Sequence, residues 1–124
     1  MATAGRVLVV EDNPGLRSLL EALLSTAGYK VASAPHGAAA LDLVGPFRPQ
    51  VILLDWAMPQ MGGQEFARRY RLLAPPHAPI LLLTGDEEGR ARAEAMGAAG
   101  YLCKPFQPQA LLRLVQTVAA PAGA

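Results

Sequence analysis

Cysteine, histidine and lysine are scarce in this sequence. A single cysteine, Cys103, excludes an internal disulfide and predicts a reducing compartment, the cytoplasm. The two histidines, His36 and His77, are far apart and are predicted as surface residues beside loops, so a zinc site is not expected. Only two of the 11 basic residues are lysines, Lys30 and Lys104, which makes each lysine a candidate for a specific role.

Net charge and apolar run length are also small. A formal net charge of +1 gives no electrostatic footprint for nucleic acid, so no direct nucleic-acid binding is expected. No apolar run approaches the roughly 18 residues of a membrane span, and the N-terminus lacks a signal-peptide pattern, so no membrane association is expected. With 52% hydrophobic and 17% charged residues, the 124-residue chain is predicted to fold as one globular domain over residues 1–120, with residues 121–124 as a tail or the start of a linker.

Short apolar runs alternate with helical patterns along the chain. The runs predict strands at 6–10, 29–34, 50–55, 79–85 and 99–103, of which 29–34 is the weakest and is expected near an edge. Helical patterns are found at 14–27, 38–44, 63–74, 87–96 and 108–119. Five such βα units with apolar central strands predict a parallel sheet with helices on both faces.

Two helices carry local start or stop signals. Asn13 is a predicted N-cap, Pro14 occupies the first helical position, and Gly28 closes that helix. Gly45 and Pro46 are predicted to stop the second helix.

Polar residues follow four of the predicted strands. In parallel α/β sheets, ligands bind beyond the carboxyl ends of the strands. The residues at these ends are Glu11, Asp12, Asp55, Thr84 and Lys104. The opposite edge is expected to receive only loops of Gly, Pro and Ala character.

A cluster of three carboxylates predicts a bound cation. Two carboxylates in close contact repel each other by about 4 kcal/mol at an effective dielectric near 20. Carboxylates, a backbone carbonyl and water are the ligands that suit Mg²⁺. A Mg²⁺ site beside a carboxylate, a hydroxyl and an ammonium is suited to phosphoryl transfer, with Asp55 as the acceptor because it follows the most buried strand.

Each of these residues, taken alone, has an ordinary structural explanation. Asp55 could start a turn, and the pair Glu11-Asp12 could favour a helix N-terminus. Thr84 is a common strand residue, Lys104 could be solvated, and Tyr101 could be a packed aromatic. Their order and their common place at strand ends favour a functional site.

Several other side chains are predicted to be structural or available for contacts. Cys103 is predicted as a buried filler residue. Arg68, Arg69 and Arg71 are predicted as a solvated helix face. Leu112 lies off the core stripe of the last helix and is predicted to be available for a partner.

From Arg6 to about Ala119, the sequence resembles the receiver domain of two-component response regulators. The matching motifs are Glu11-Asp12 in VVEDN, Asp55 in LLDWAMP, Thr84 in LLTG, Lys104-Pro105-Phe106 in YLCKPF, Met58-Pro59 with Gly62-Gly63 in the following loop, and Tyr101 as a switch aromatic. Because these motifs occur together, in this order and beside strand ends, they are specific evidence for the resemblance.

The resemblance implies a flavodoxin-like (βα)5 fold, with a doubly wound parallel sheet of strand order 2-1-3-4-5. It implies a phosphoacceptor signalling domain rather than an enzyme, with Asp55 receiving a phosphoryl group from a histidine kinase or phosphotransfer protein. Mg²⁺ is expected at Glu11, Asp12, Asp55 and the backbone carbonyl of Ala57.

The resemblance also implies how the signal leaves the domain. Thr84 and Lys104 are expected to contact the phosphoryl group, and Thr84 and Tyr101 to act as the switch. The face formed by residues 87–119 is expected to contact a downstream protein or the protein's own output domain, with a homodimer on activation as a further possibility.

A few positions depart from the family's pattern. Gly62 stands where an acidic residue is common, and Gly85 where alanine is common. Trp56 is bulkier than the usual residue and could narrow access to the acceptor. Ala57 and Asp86 occupy positions that tune autodephosphorylation, so the lifetime of the phosphate is left open.

Two other function classes share parts of this pattern. An FMN-binding flavodoxin would need a first loop that cradles a phosphate, which Glu11 and Asp12 would repel; a yellow chromophore would reveal it. A dehalogenase-type phosphatase would need a second aspartate two residues after Asp55, where Ala57 stands; turnover of a phosphomonoester would reveal it.

Overall fold

The computed structural model describes residues 5–85 and 87–119. Asp86 and the predicted tail 121–124 therefore lie outside the described residues. The strands are β1 (Arg6–Val10), β2 (Lys30–Ala34), β3 (Val51–Asp55), β4 (Ile80–Thr84) and β5 (Gly100–Cys103). The helices are α1 (Pro14–Thr26), α2 (Gly37–Phe47), α3 (Gly63–Leu72), α4 (Gly89–Met96) and α5 (Pro108–Ala119).

The strands form one parallel sheet in the order β2-β1-β3-β4-β5, which confirms the predicted topology. β3 and β4 are buried along their full length, as their continuous apolar runs predict. β2 lies at one edge, also as predicted. Because all strands run in the same direction, their carboxyl ends share one edge of the sheet.

Successive strand residues point to opposite faces and build two cores. On one face, the buried side chains of α2, α3 and α4 pack against Leu8, Ile52 and Leu82. On the other face, those of α1 and α5 pack against Val9 and Leu53. This period of two fixes the strand register, because a slip by one residue would exchange the faces.

The start of α1 matches the local prediction, whereas the end of α2 does not. The Asn13 side chain accepts a hydrogen bond from the Leu16 amide at 2.9 Å, and Pro14 occupies the first turn. α2 continues through Pro46 to Phe47 and ends where Arg48 takes φ +54°. A proline in the last turn removes only the bond to the carbonyl of Asp42, an exposed residue, so the predicted stop at Gly45-Pro46 is wrong.

Two side-chain predictions need correction, and a third gains a contact. Cys103 is exposed, because β5 is an edge strand whose residues alternate between half-buried and exposed. Leu112 is half-buried against the α1–α5 core, so it is less available than predicted. Arg68, Arg69 and Arg71 are exposed as predicted, but Arg71 also donates to the carbonyls of Met96 and Gly97, which ties α3 to the end of α4.

The amino edge of the sheet is more polar than predicted. Arg6 donates its backbone amide to Gln50 Oε1 at 2.9 Å and its Nε to the Arg48 carbonyl at 2.8 Å. These residues line an open cleft of about 680 Å³ between α2 and α3, together with Asp42. The expectation of Gly, Pro and Ala loops alone at this edge is therefore wrong.

The two histidines differ in exposure. His36 is half-buried and caps α2, with Nδ1 accepting from the Ala39 amide at 3.1 Å, whereas His77 is exposed as predicted.

Within residues 5–85 and 87–119, no helix is both long and apolar enough to cross a bilayer.

Candidate functional site

The ends of β1 and β3 bring three carboxylates together. One oxygen each from Glu11, Asp12 and Asp55 lies within 4.8 Å of the others. Glu11 is 1% exposed and Asp55 is 5% exposed, while Asp12 is half-buried. Among the described residues, this is the one group of three acidic, histidine or cysteine side chains close enough to share a metal ion.

Lys104 places a positive charge against this cluster from the end of β5. Its Nζ lies 3.1 Å from Glu11 Oε1 and 3.1 Å from Asp55 Oδ1. The Lys104 amide also donates to the Thr84 carbonyl at 2.7 Å, which holds the residue beside the end of β4. Phe106, two residues later, packs against the α1–α5 core and anchors the loop.

Burial shifts the acid–base equilibria of the cluster. Burial first, and then the charge of Asp55, raise the pKa of Glu11 to about 7, although the Asn13 amide and Lys104 oppose the shift. Burial also raises the pKa of Asp55 against the opposing effect of Lys104. Burial disfavours the charged Lys104, but its hydrogen bonds to Asp55 and Glu11 raise its pKa overall. One ammonium does not offset three carboxylates, so the cluster favours a further cation.

The loop after Asp55 is fixed by backbone contacts. The Trp56 amide donates to the Leu83 carbonyl at 2.9 Å, and the Gly63 amide donates to the Trp56 carbonyl at 2.9 Å. A Cβ on Gly63 would lie 2.8 Å from the Asp55 carbonyl oxygen, so only glycine allows this approach without a shift. Ala57 is exposed in this loop, next to the acceptor strand.

Thr84 and Tyr101 both border Gly89 at the start of α4. Thr84 is 1% exposed and Tyr101 is 36% exposed. A Cβ on Gly89 would lie 2.4 Å from Thr84 Cγ2 and 3.1 Å from Tyr101 Cδ2. The two proposed switch residues therefore share one tightly packed region beneath α4.

Three supporting contacts were missed by sequence reasoning. The Asn13 amide donates to Glu11 Oε2 at 3.1 Å, and Arg17 Nη1 donates to the Glu11 carbonyl at 3.0 Å. The Arg92 guanidinium lies 4.7 Å from the centre of the Trp56 ring. The first follows from a carboxylate near a helix N-terminus. The other two carry no sequence signal, because one depends on the turn into α1 and the other on how α4 packs beside the end of β3.

A family model described as a response regulator receiver domain matches residues 7–116. This chain belongs to that family. It is 35% identical over 120 residues to a probable transcriptional regulator, ycf27, of Guillardia theta, a match that covers 95% of this chain and 46% of the relative. The receiver domain thus spans about half the length of the first curated relatives it matches.

Solved structures of receiver domains share the fold. The chemotaxis protein CheY4 of Vibrio cholerae superposes with a TM-score of 0.85 at 38% identity, covering 92% of this chain and 98% of that one. The receiver domain of sensor histidine kinase PA1611 from Pseudomonas aeruginosa PAO1 superposes with a TM-score of 0.85 at 30% identity, covering 94% and 98%. That second structure has a magnesium ion coordinated in its active site cleft.

Proposed function

We propose that the domain accepts a phosphoryl group on Asp55 from the phosphohistidine of a histidine kinase or phosphotransfer protein. One observation carries this proposal. Asp55 is the last residue of a fully buried strand and is only 5% exposed, and its carboxylate lies 3.1 Å from the Lys104 ammonium. A buried carboxylate so placed has no role in the hydrophobic core, but it can act as a nucleophile.

The proposed transfer uses three side chains of the chain itself. A carboxylate oxygen of Asp55 forms a bond to phosphorus, the bond from phosphorus to the donor nitrogen breaks, and the donor histidine takes up a proton. The Lys104 ammonium and the Thr84 hydroxyl are the donors that would hold the phosphoryl oxygens of the resulting acyl phosphate.

The acidic cluster fits Mg²⁺ as the cofactor, in keeping with a family that binds this ion in an acidic pocket. We propose that Glu11, Asp12, Asp55 and the carbonyl of Ala57 hold the ion. When bound, Mg²⁺ would screen the negative charge of the phosphoryl oxygens as they approach the carboxylates. The fit rests on hard oxygen donors and on the excess of negative charge.

Intact mass spectrometry tests the acceptor. Acetyl phosphate with Mg²⁺ should add one phosphoryl group to the wild-type chain, and Asp55→Asn should abolish the addition. Asp42→Asn, which changes an exposed aspartate of α2 at the other edge of the sheet, is the matched control and should label normally. Labelling of Asp55→Asn at another residue would overturn the assignment.

For the output, we propose that phosphorylation alters the face formed by α4, β5 and α5. The phosphoryl group adds roughly two negative charges, which should draw Thr84 and Lys104 toward it. Thr84 packs at Gly89 beside Tyr101, so an inward shift of Thr84 would free space for the half-exposed Tyr101 ring. The two packings would differ in their contacts with the phosphoryl group, which sets the size of the population shift.

Hydrogen exchange with and without beryllofluoride, a phosphoryl mimic, tests the output face. Protection should change within residues 87–119 as well as in the loops around Asp55. Changes confined to those loops would mean that Asp55 accepts a phosphoryl group without altering the face formed by α4, β5 and α5.

The remaining expectations stay predictions. These are a cytoplasmic location, a downstream protein or attached output domain as partner, homodimer formation on activation, and the absence of nucleic-acid binding by this domain. We also propose that the domain comprises residues 1–120. It would catalyse only its own phosphorylation and dephosphorylation.

A further inference from the structure

Trp56 lies between the acceptor strand and α4. Its amide donates to the Leu83 carbonyl and its carbonyl accepts from the Gly63 amide, so the backbone of Trp56 is hydrogen-bonded on both sides. The half-buried indole packs on the sheet face that carries α4, one residue from Asp55. The ring therefore lies on the α4 side of the residue that carries the acceptor carboxylate.

Arg92 holds this indole from α4. Its guanidinium lies 4.7 Å from the ring centre, within the range of a cation–π contact. The Arg92 side chain is 25% exposed, and Nη2 lies 3.4 Å from Glu88 Oε2. A partly desolvated guanidinium, itself oriented by an ion pair, gives the ring a preferred position rather than a loose contact.

We infer that Arg92 is a positioning residue for the phosphoacceptor site, which keeps the Trp56 ring against α4 and so keeps the approach to Asp55 open to a phosphodonor. The inference rests on the proposed role of Asp55 as acceptor. Without Arg92, the indole can leave α4 and sample positions over the approach. Phosphorylation by a small donor should then slow, and the ring should become more accessible to solvent.

Substitutions at Arg92 and Glu88 separate the effect of the positive charge on Arg92 from the effect of its ion pair with Glu88. Arg92→Gln removes the cation and should reduce the rate of labelling by acetyl phosphate by about two- to fivefold, the effect of losing one cation–π contact. Arg92→Lys keeps a cation and should recover part of the rate. Glu88→Gln removes a carboxylate that orients Arg92 but leaves the guanidinium and the ring, and should slow labelling less than Arg92→Gln does.

A coupling test distinguishes positioning from a general effect on the fold. In a Trp56→Leu background, Arg92→Gln should have no further effect on the rate, because no ring remains to be held. Equal rate losses from Arg92→Gln with and without the indole would overturn the inference, since the effect of Arg92 would then be independent of the ring.

A second readout needs no phosphorylation. Trp56 is the only tryptophan, so acrylamide quenching of its fluorescence reports the exposure of this one ring. Arg92→Gln should increase quenching and Arg92→Lys should increase it less, both in the absence of donor. Unchanged quenching in Arg92→Gln would refute the inference even if labelling occurs. Increased quenching in a chain that never labels at Asp55 would instead refute the proposed function and leave the contact intact.

Discussion

The two edges of the sheet carry charge in opposite ways. At the carboxyl edge, Glu11 and Asp55 are almost fully buried and share the single ammonium of Lys104. At the amino edge, Arg6 and Arg48 lie beside an open cleft, and Arg6 uses its guanidinium to bond a backbone carbonyl. The same parallel strands thus end in buried, mutually repelling charges at one edge and in solvated charges at the other.

This difference predicts which edge is more sensitive to a change of charge. Solvated side chains such as those of the amino edge contribute little to stability and cost little. Buried carboxylates raise the free energy of the folded chain unless a cation or proton offsets them. The carboxyl edge is therefore expected to respond strongly to mutation, pH and Mg²⁺, and the amino edge weakly.

The largest expected effect is that of Lys104→Met. This change leaves Glu11 and Asp55 without their 3.1 Å partner, so phosphorylation should be nearly lost and the free energy of unfolding at pH 8 should fall by about 2–4 kcal/mol. Urea denaturation and intact mass measure the two effects. Lys30→Met, at the exposed start of β2, is the matched control and should change stability by less than about 0.5 kcal/mol. Equal losses in both variants would remove the contrast between the edges.

The pH dependence of stability should be the next largest effect. The pKa of Glu11 is raised to about 7, and that of Asp55 is raised as well, so the folded chain binds more protons than the unfolded chain in this range. Stability without Mg²⁺ should therefore fall as the pH rises from 5 to 7, by about 2 kcal/mol. Denaturation in chelator across this range measures it. A stability that is constant or rises with pH would show that folding does not raise the pKa values of Glu11 and Asp55.

Glycine substitutions should give a smaller effect of the same kind. Gly63→Ala forces a Cβ to within 2.8 Å of the Asp55 carbonyl oxygen, so the loop must shift and stability should fall by about 1–2 kcal/mol, with slower phosphorylation. Gly45→Ala, inside α2 at the amino edge, places its Cβ in open space and should raise stability by up to about 1 kcal/mol, because alanine favours a helix over glycine. A reversed order of the two, read from thermal unfolding, would contradict the packing described for the acceptor loop.

The smallest effect is expected for Arg6→Gln. It removes the hydrogen bond from Arg6 Nε to the Arg48 carbonyl at 2.8 Å, which should lower stability by about 0.5–1 kcal/mol. The rate of labelling by acetyl phosphate should be unchanged, because the site lies at the other edge of the sheet. A slowed rate in this variant would mean that the two edges are coupled.

The parallel sheet and the common edge of the acidic residues follow from simple periodicities in the sequence, whereas the strand order 2-1-3-4-5 was implied by the resemblance to receiver domains. Continuous apolar runs identified β3 and β4, and the rule that parallel strands end at one edge brought Asp55 and Lys104 together before any coordinates. The chemical roles given to these residues are still predictions.

What the sequence could not predict depends on packing between elements. The contact of Arg92 with Trp56 and the bonds of Arg71 to the end of α4 join positions far apart in the chain, with no pattern that pairs them. Cys103 was mistaken for a core residue because an edge strand exposes alternate side chains, and the strand's own sequence does not say which.

We propose that the carboxyl edge tolerates buried negative charge because it binds Mg²⁺. The thermal unfolding midpoint at pH 8, measured with increasing Mg²⁺, tests it most directly. A Mg²⁺ concentration of about ten times the Kd stabilises the fold by about 1.4 kcal/mol. The midpoint should therefore rise for the wild type and for Asp42→Ala but not for Asp12→Ala. A midpoint that does not respond to Mg²⁺ in the wild type, or that rises equally in Asp12→Ala, would contradict the account.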